Sequence, residues 1–339
     1  MLNYEILKKY DPEGMHKVYD RWSEIARESY HCNLQKIDFN GLDHIIFAGM
    51  GGSGALGDIF SAILSKTNLH VCVVKGYHLP NTIDSNTLVV TTSISGDTVE
   101  TVTVLDEAKK LGCKIIAFSS GGKMEGYCNK HRIEFRKISE IHSPRVSFTK
   151  FLYSMLNILE SELPIKKEEI FESLKKMDLL RYKIFSENLN ESNPALSLAN
   201  WITGIPVIYY PNGLQAAAIR FKNSLQENAK MHVITEDVIE ACHNGIVSWE
   251  TKSNIKPILL QGKDDYNKTK ERWKILKEYF KINEIEYKEV FSINGNILTK
   301  LISLIYLLDY TSIYRAILSG IDPSPIKSID FIKERSSYS

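Results

Sequence analysis

The segment Ser93-Ile94-Ser95-Gly96-Asp97-Thr98 sets three hydroxyls around one glycine within a single turn. It leaves a β-forming run at residues 87–92 and enters a helical pattern over about 97–111. Backbone N–H groups at a helix N-terminus lack intrahelical partners, and the helix dipole adds positive potential there. With hydroxyls beside them, such a turn suits a dianionic phosphate. Ordinary N-capping by Ser95 or Asp97 explains one of these side chains but not three hydroxyls together. Asp97 opposes an anion site unless its carboxylate points away or caps the helix.

A second turn, Gly49-Met50-Gly51-Gly52-Ser53-Gly54, satisfies G-x-G-x-x-G after a strand and before a helix. A dinucleotide reading wants an acidic residue after the next strand, and Val74-Lys75-Gly76 offers none. A lysine there suits a 2′-phosphate, and a tight turn with no ligand is the plain alternative.

The elements that must position these turns alternate. Apolar strand runs at 44–48, 70–74, 87–92 and 114–118, with a further strand at 132–137, are separated by helical patterns at 55–64, 97–111 and after Gly121-Gly122. Continuous apolar runs between helices predict a parallel sheet covered on both faces. One helix is expected before them, over about 4–30, and another after them, over 146–159. A lysine- and glutamate-rich stretch, 164–189, reads as a helical connector. The alternation then resumes with strands at 206–210, 256–260 and 287–291. Helices are expected at 213–229, 267–280 and 297–319, and a short one begins near Ile326. The chain is therefore an α/β protein of two tandem doubly wound domains, residues 1–162 and 193–339, joined by residues 163–192.

Composition narrows the partners. Of 339 residues, 43% are hydrophobic and 24% charged, and the net charge is +1. That balance gives no general attraction to nucleic acid or anionic membranes, so an anion site has to be local. Five cysteines without CxxC spacing (Cys32, Cys72, Cys113, Cys128, Cys242) read as reduced thiols of a cytoplasmic protein. No signal peptide and no uninterrupted run of ~18 apolar residues is expected.

Gly51-Gly52-Ser53 together with Ser93-x-Ser95-Gly96-x-Thr98 resembles the sugar isomerase (SIS) domain. Pro144-Arg145, Asn193-Pro194-Ala195, Gln226-Glu227-Asn228-Ala229-Lys230, His243-Asn244 with Trp249, and Asp322-Pro323-Ser324-Pro325 are similar to the bifunctional phosphoglucose/phosphomannose isomerases. The resemblance runs through nearly the whole chain in order. It implies two SIS-type domains and an aldose–ketose isomerisation of hexose 6-phosphates through a cis-enediol(ate), without cofactor or metal. Gly52, Ser53, Ser93, Ser95 and Thr98 would hold the phosphate. Such chemistry needs a base, a cation for the enediolate and acid–base help in ring opening. By resemblance Glu227 is the base, Arg145 the cation, and His243 and the C-terminal Lys333 serve ring opening. On composition alone Glu227 is a solvated helix-end carboxylate and Lys333 a solvated lysine, with Lys327 close enough to be its alternative. The resemblance also implies a homodimer in which His243 crosses the interface. Two departures stand out: Gly245 replaces the family's glutamate after His243-Asn244, and Ile141-His142-Ser143 before Pro144-Arg145 is unusual. They leave open which phosphosugar is taken. An SIS-domain isomerase of a different phosphosugar, a sugar-phosphate binder without catalysis and a dinucleotide oxidoreductase are the other readings.

Overall fold

The computed structural model describes residues 2–39 and 41–336. The expected opening helix is three: α1 (Tyr4–Tyr10), α2 (Met15–Asp20) and α3 (Trp22–His31). Pro12 and the left-handed Gly14 (φ 70°) interrupt the pattern. The Asp11 carboxylate then restarts it, accepting from the N–H groups of Met15 at 2.9 Å and His16 at 2.8 Å.

Strands β1 (His44–Ala48), β2 (His70–Val74), β3 (Thr87–Ser93), β4 (Lys114–Ser119) and β5 (Glu134–Lys137) form one parallel sheet in the order β2-β1-β3-β4-β5. β1 and β3 are buried throughout, which is why they read as unbroken apolar runs. The edge strands β2 and β5 are only partly covered. Of the crossover helices, α4 (Gly51–Leu64) lies on one face, with Leu56, Ile59 and Phe60 in the large core. Helices α5 (Val99–Lys110) and α6 (Gly122–His131) cover the other, burying Val104, Leu105, Met124 and Cys128. The sheet is thus doubly wound. Its strand order reverses between β1 and β3, so both the glycine turn and the serine loop open at that crevice, where open α/β sheets bind ligands.

Helices α7 (Phe148–Ile158), α8 (Lys167–Ile184) and α9 (Pro194–Trp201) lead to the second sheet. It contains β6 (Ile205–Tyr210), β7 (Ile234–Asp237), β8 (Ile255–Gln261) and β9 (Lys288–Phe291), all parallel, in the order β7-β6-β8-β9. β7 is the strand that patterning missed: Ile234-Thr235-Glu236-Asp237 is mostly polar because it is an edge. Helix α10 (Gln215–Ala229) and the long α13 (Ile297–Leu318) pack on the inner face. α11 (Val238–Ala241) and α12 (Asn267–Ile282) close the outer one, and α14 (Lys327–Ser336) follows α13.

α13 touches α1, α2, α4, α8, α9 and α10, so the main core passes through both halves of the chain. It is long and apolar enough in composition to cross a membrane, yet 83% of that stretch is buried inside the fold. α10 also packs on α4, which brings the second half of the chain up to the glycine turn.

Candidate active site

In the serine loop, the Ser93 hydroxyl donates to Thr98 Oγ1 at 3.0 Å and accepts from the Gly96 N–H at 3.1 Å. Ser53, on α4, ties the two turns together by accepting from the Ile94 N–H at 3.2 Å. Gly96 is held at φ 82°, and a Cβ there would collide with the Gly121 carbonyl oxygen, so only glycine fits. No side chain caps α4 or α5. Their first-turn N–H groups therefore remain for a ligand. The conflict over Asp97 resolves by direction: its Oδ1 accepts from the Lys123 N–H at 3.0 Å and serves the first turn of α6.

Glu227 stands in the last turn of α10, beside a cavity of about 810 Å³. Gly51 from the glycine turn, Asn223, Gln226, Glu227 and Lys230 from α10, and residues 325–329 line it. Arg145, only 4% exposed, comes from the loop before α7 and meets Glu227 behind the cavity lining. Its Nε donates to Asn228 Oδ1 at 2.8 Å, and its Nη2 to the carbonyls of Pro323 at 2.7 Å and Ser324 at 2.9 Å. Nη1 is left facing Glu227, 3.7 Å from Oε2. That is an ion pair too long for a hydrogen bond, and both groups keep capacity for a third oxygen. A Cβ on Gly52 would lie 3.5 Å from the Arg145 Cα, so the glycine turn and the Arg145–Glu227 pair are neighbours.

α10 ends on a non-glycine left-handed cap, Lys230, at φ 57°. The strain is held by its ammonium, which donates to the Glu227 carbonyl and to the Pro325 carbonyl at 2.7 Å. Burial, and after it the Arg145 guanidinium, push this ammonium below its ordinary range. The Asp322-Pro323-Ser324-Pro325 segment is thus pinned over the cavity by Arg145 and Lys230 through backbone carbonyls.

Sequence reasoning missed Arg220 and Asp309. Arg220 is 2% exposed, and its Nη2 donates to Asp309 Oδ2 at 2.7 Å and to the Arg145 carbonyl at 2.6 Å. Burial alone would lower the pKa of Arg220, but Asp309 holds its charge firmly in place. A usable signal existed: one aspartate deep inside a 22-residue apolar helix requires a buried partner.

His243 and Lys333 are not brought to this cavity. His243 is exposed between α11 and the 3-10 turn Gly245–Glu250, at the rim made by edge strand β7. Ile239, 37% exposed, and Val247, 57% exposed, flank it. The space a side chain at 245 would enter is filled by the Glu236 carboxylate, which a Gly245 Cβ would strike. The His243 loop therefore keeps a carboxylate, supplied by β7. Burial and then Glu240 raise the pKa of Glu236. Lys333 is exposed on α14, where its charge acts on Glu140, and Lys327 lines the cavity.

A SIS domain family model matches residues 39–161, and the model of the bacterial phospho-glucose isomerase C-terminal SIS domain matches residues 191–335. The chain is 31% identical to the bifunctional phosphoglucose/phosphomannose isomerase of Caldicellulosiruptor bescii, over 96% of each chain. It is 29% identical to the protein of the same name from Aquifex aeolicus, over 95% of this chain and 96% of that one. Among solved structures, a hypothetical protein from Thermus thermophilus superposes with a TM-score of 0.74. That match has 13% identity and covers 98% of this chain and 92% of the other, which speaks to the fold alone.

Proposed function

The chain belongs to the bifunctional phosphoglucose/phosphomannose isomerase family, and from that premise we propose that it interconverts glucose 6-phosphate and mannose 6-phosphate with fructose 6-phosphate. The observation that carries this reading is the Arg145–Glu227 pair beside the glycine turn, with its 3.7 Å separation. Gly52, Ser53, Ser93, Ser95, Thr98 and the uncapped helix ends hold the 6-phosphate. Glu227 removes the proton at C2 of the aldose and returns it at C1; the reverse direction starts from C1 of the ketose. The negative charge that develops on the enediolate oxygen is met by Arg145 Nη1, the nitrogen not committed to Asn228, Pro323 or Ser324. The guanidinium stays protonated throughout, so it stabilises charge without trading protons with Glu227. Because the proton is carried by a carboxylate and the charge by an arginine, the step needs neither a metal nor a cofactor.

Ring opening falls to a histidine and a lysine. His243 lies on an exposed rim with apolar neighbours, which favours its delivery into the Glu227 cavity of a second copy, in a homodimer. For the lysine, Lys333 comes from the resemblance and Lys327 from the cavity lining. The five free thiols are consistent with a cytoplasmic setting.

The test is Glu227→Gln. Turnover of fructose 6-phosphate should fall about a hundredfold to ten-thousandfold, with loss of solvent deuterium incorporation at C1 and C2 and retained sugar-phosphate binding. Full turnover by this variant would overturn the assignment of the base. A wild-type protein that binds the sugar phosphates and exchanges no proton would leave a binding protein.

A further inference from the structure

Arg220 and Asp309 are buried against the Arg145 backbone, and nothing in the proton transfer itself requires them. Resting on the reading of Arg145 as the enediolate cation, we propose that they form a buried positioning pair: Arg220 holds the Arg145 backbone, and Asp309 holds Arg220.

Arg220 Nη2 bridges the Arg145 carbonyl at 2.6 Å and Asp309 Oδ2 at 2.7 Å. Its Nε donates to both Asp309 oxygens, at 3.1 and 3.3 Å. Asp309 also accepts from the Ser224 hydroxyl at 2.6 Å and the Tyr19 hydroxyl at 3.1 Å, so α10, α13 and α2 converge on one carboxylate. The guanidinium lies 4.6 Å from the ring centroid of Phe148, which opens α7 just beyond Arg145. The next carbonyl along the chain, that of Val146, is held by Trp22 Nε1 at 2.9 Å. Two consecutive carbonyls of the Arg145 segment are therefore fixed by two different helices.

The consequence reaches the substrate side. Arg220 Nη1 takes no part in the Asp309 pair, and it lies 3.5 Å from where a Gly52 Cβ would stand. One buried side chain thus spans the glycine turn and the Arg145 backbone. It sets the distance between the phosphate end of the site and the cation that meets the enediolate. Asn228, Pro323 and Ser324 fix the plane of the Arg145 guanidinium, and Arg220 fixes the backbone end of the same side chain, so Nη1 is placed from both ends.

A buried ion pair adds little net stability over well-packed apolar residues of similar volume, so stability and positioning can be separated. The double variant Arg220→Met/Asp309→Leu is compared with wild type by thermal melting, by fructose 6-phosphate kinetics and by binding of two probes. One probe is inorganic phosphate. The other is a 5-phosphorylated five-carbon aldonic acid, whose carboxylate copies the enediolate charge. The expected result is a folded protein whose melting temperature falls by several degrees, because Ser224, Tyr19 and the Arg145 carbonyl lose their partners, with kcat lowered about tenfold to a hundredfold and KM within about threefold. The aldonate should bind about tenfold more weakly while phosphate binding is unchanged. Arg220→Lys, which keeps one donor for the Arg145 carbonyl, should fall between the two.

Wild-type kcat and aldonate affinity in the folded double variant would overturn the proposal. So would an equal loss of phosphate and aldonate binding, which signals a general collapse of the site. If the double variant fails to fold, Asp309→Asn decides: a kcat that falls no further than its folded fraction also overturns it. Wild-type protein that binds the aldonate but does not turn over fructose 6-phosphate rejects the isomerase reading. In that case the aldonate-to-phosphate comparison still judges the pair.

Discussion

At the scale of single residues, chemistry follows from what each side chain has already committed. Asp97 does not oppose the proposed phosphate site, because its carboxylate accepts from the Lys123 N–H. Arg145 has two nitrogens engaged by the protein and one turned to Glu227. Lys230 is a cation near Glu227, but its bonds to carbonyls make it a clamp on the segment that roofs the cavity. The two candidate lysines differ in the same way: Lys327 lines the cavity, and Lys333 lies on the exposed side of α14 near Glu140. Comparison of Lys327→Met with Lys333→Met separates them. The variant that removes the ring-opening lysine should lose at least about tenfold in kcat with cyclic substrate. The other should stay within about twofold, as a solvated side chain does. A loss shared equally would reject a single-lysine step.

At the scale of elements, the breaks are as informative as the helices. The opening apolar pattern is continuous across Tyr10, yet the backbone is not, because Pro12 and Gly14 impose a turn that Asp11 then caps. Burial works against the Asp11 carboxylate, but the His16 ring and the two backbone N–H groups outweigh it and hold its pKa below the ordinary value. The folded state therefore favours the ionised form. Its contribution is fully present above the unfolded pKa of about 4 and is lost as pH falls through the lower folded value. Asp11→Asn should cost about 1–2 kcal/mol near neutral pH, with the gap to wild type closing as the solution is acidified below about pH 4. Paired urea melts across that range check the sign; a gap that widens on acidification would contradict it. α10 is the element that matters most for function, since its small face (Ala216, Ala217, Ala218) is buried in the core while its last turn carries Glu227 and leads into Lys230.

At the scale of the whole molecule, the site belongs to neither sheet alone. The cavity takes Gly51 of the glycine turn from the first sheet, Glu227 and Lys230 from the second half, and its roof from the segment after α13. The shared core through α13 holds these parts in register. One expected participant, His243, stays on the outer rim of its own chain. Cyclic symmetry makes a test available. Mixing Glu227→Gln protein with His243→Asn protein should restore about a quarter of wild-type activity, since half the dimers are mixed and each has one intact site. Sedimentation of the mixture checks the dimer. Absence of recovery in a dimer that exchanges subunits would place the whole site within one chain.

Much of this was legible along the chain. The buried strands announced themselves as apolar runs, the two turns as glycine and hydroxyl clusters at strand ends, and the doubly wound architecture as their alternation. Local chemistry sets such features, so a local reading finds them. Edge strand β7 escaped because an edge need not be apolar, and the α1–α2 break escaped because periodicity does not register a cap. Glu227 and Arg145 lie 82 positions apart and carry no local sign of each other. Arg220 and Asp309, 89 apart, look like ordinary charges until one sees that both are dry. The serine loop reads as a phosphate cradle from sequence alone. Its placement relative to Glu227, Arg145 and the buried pair was decided only when distant helices packed together, because burial and proximity are properties of the folded chain.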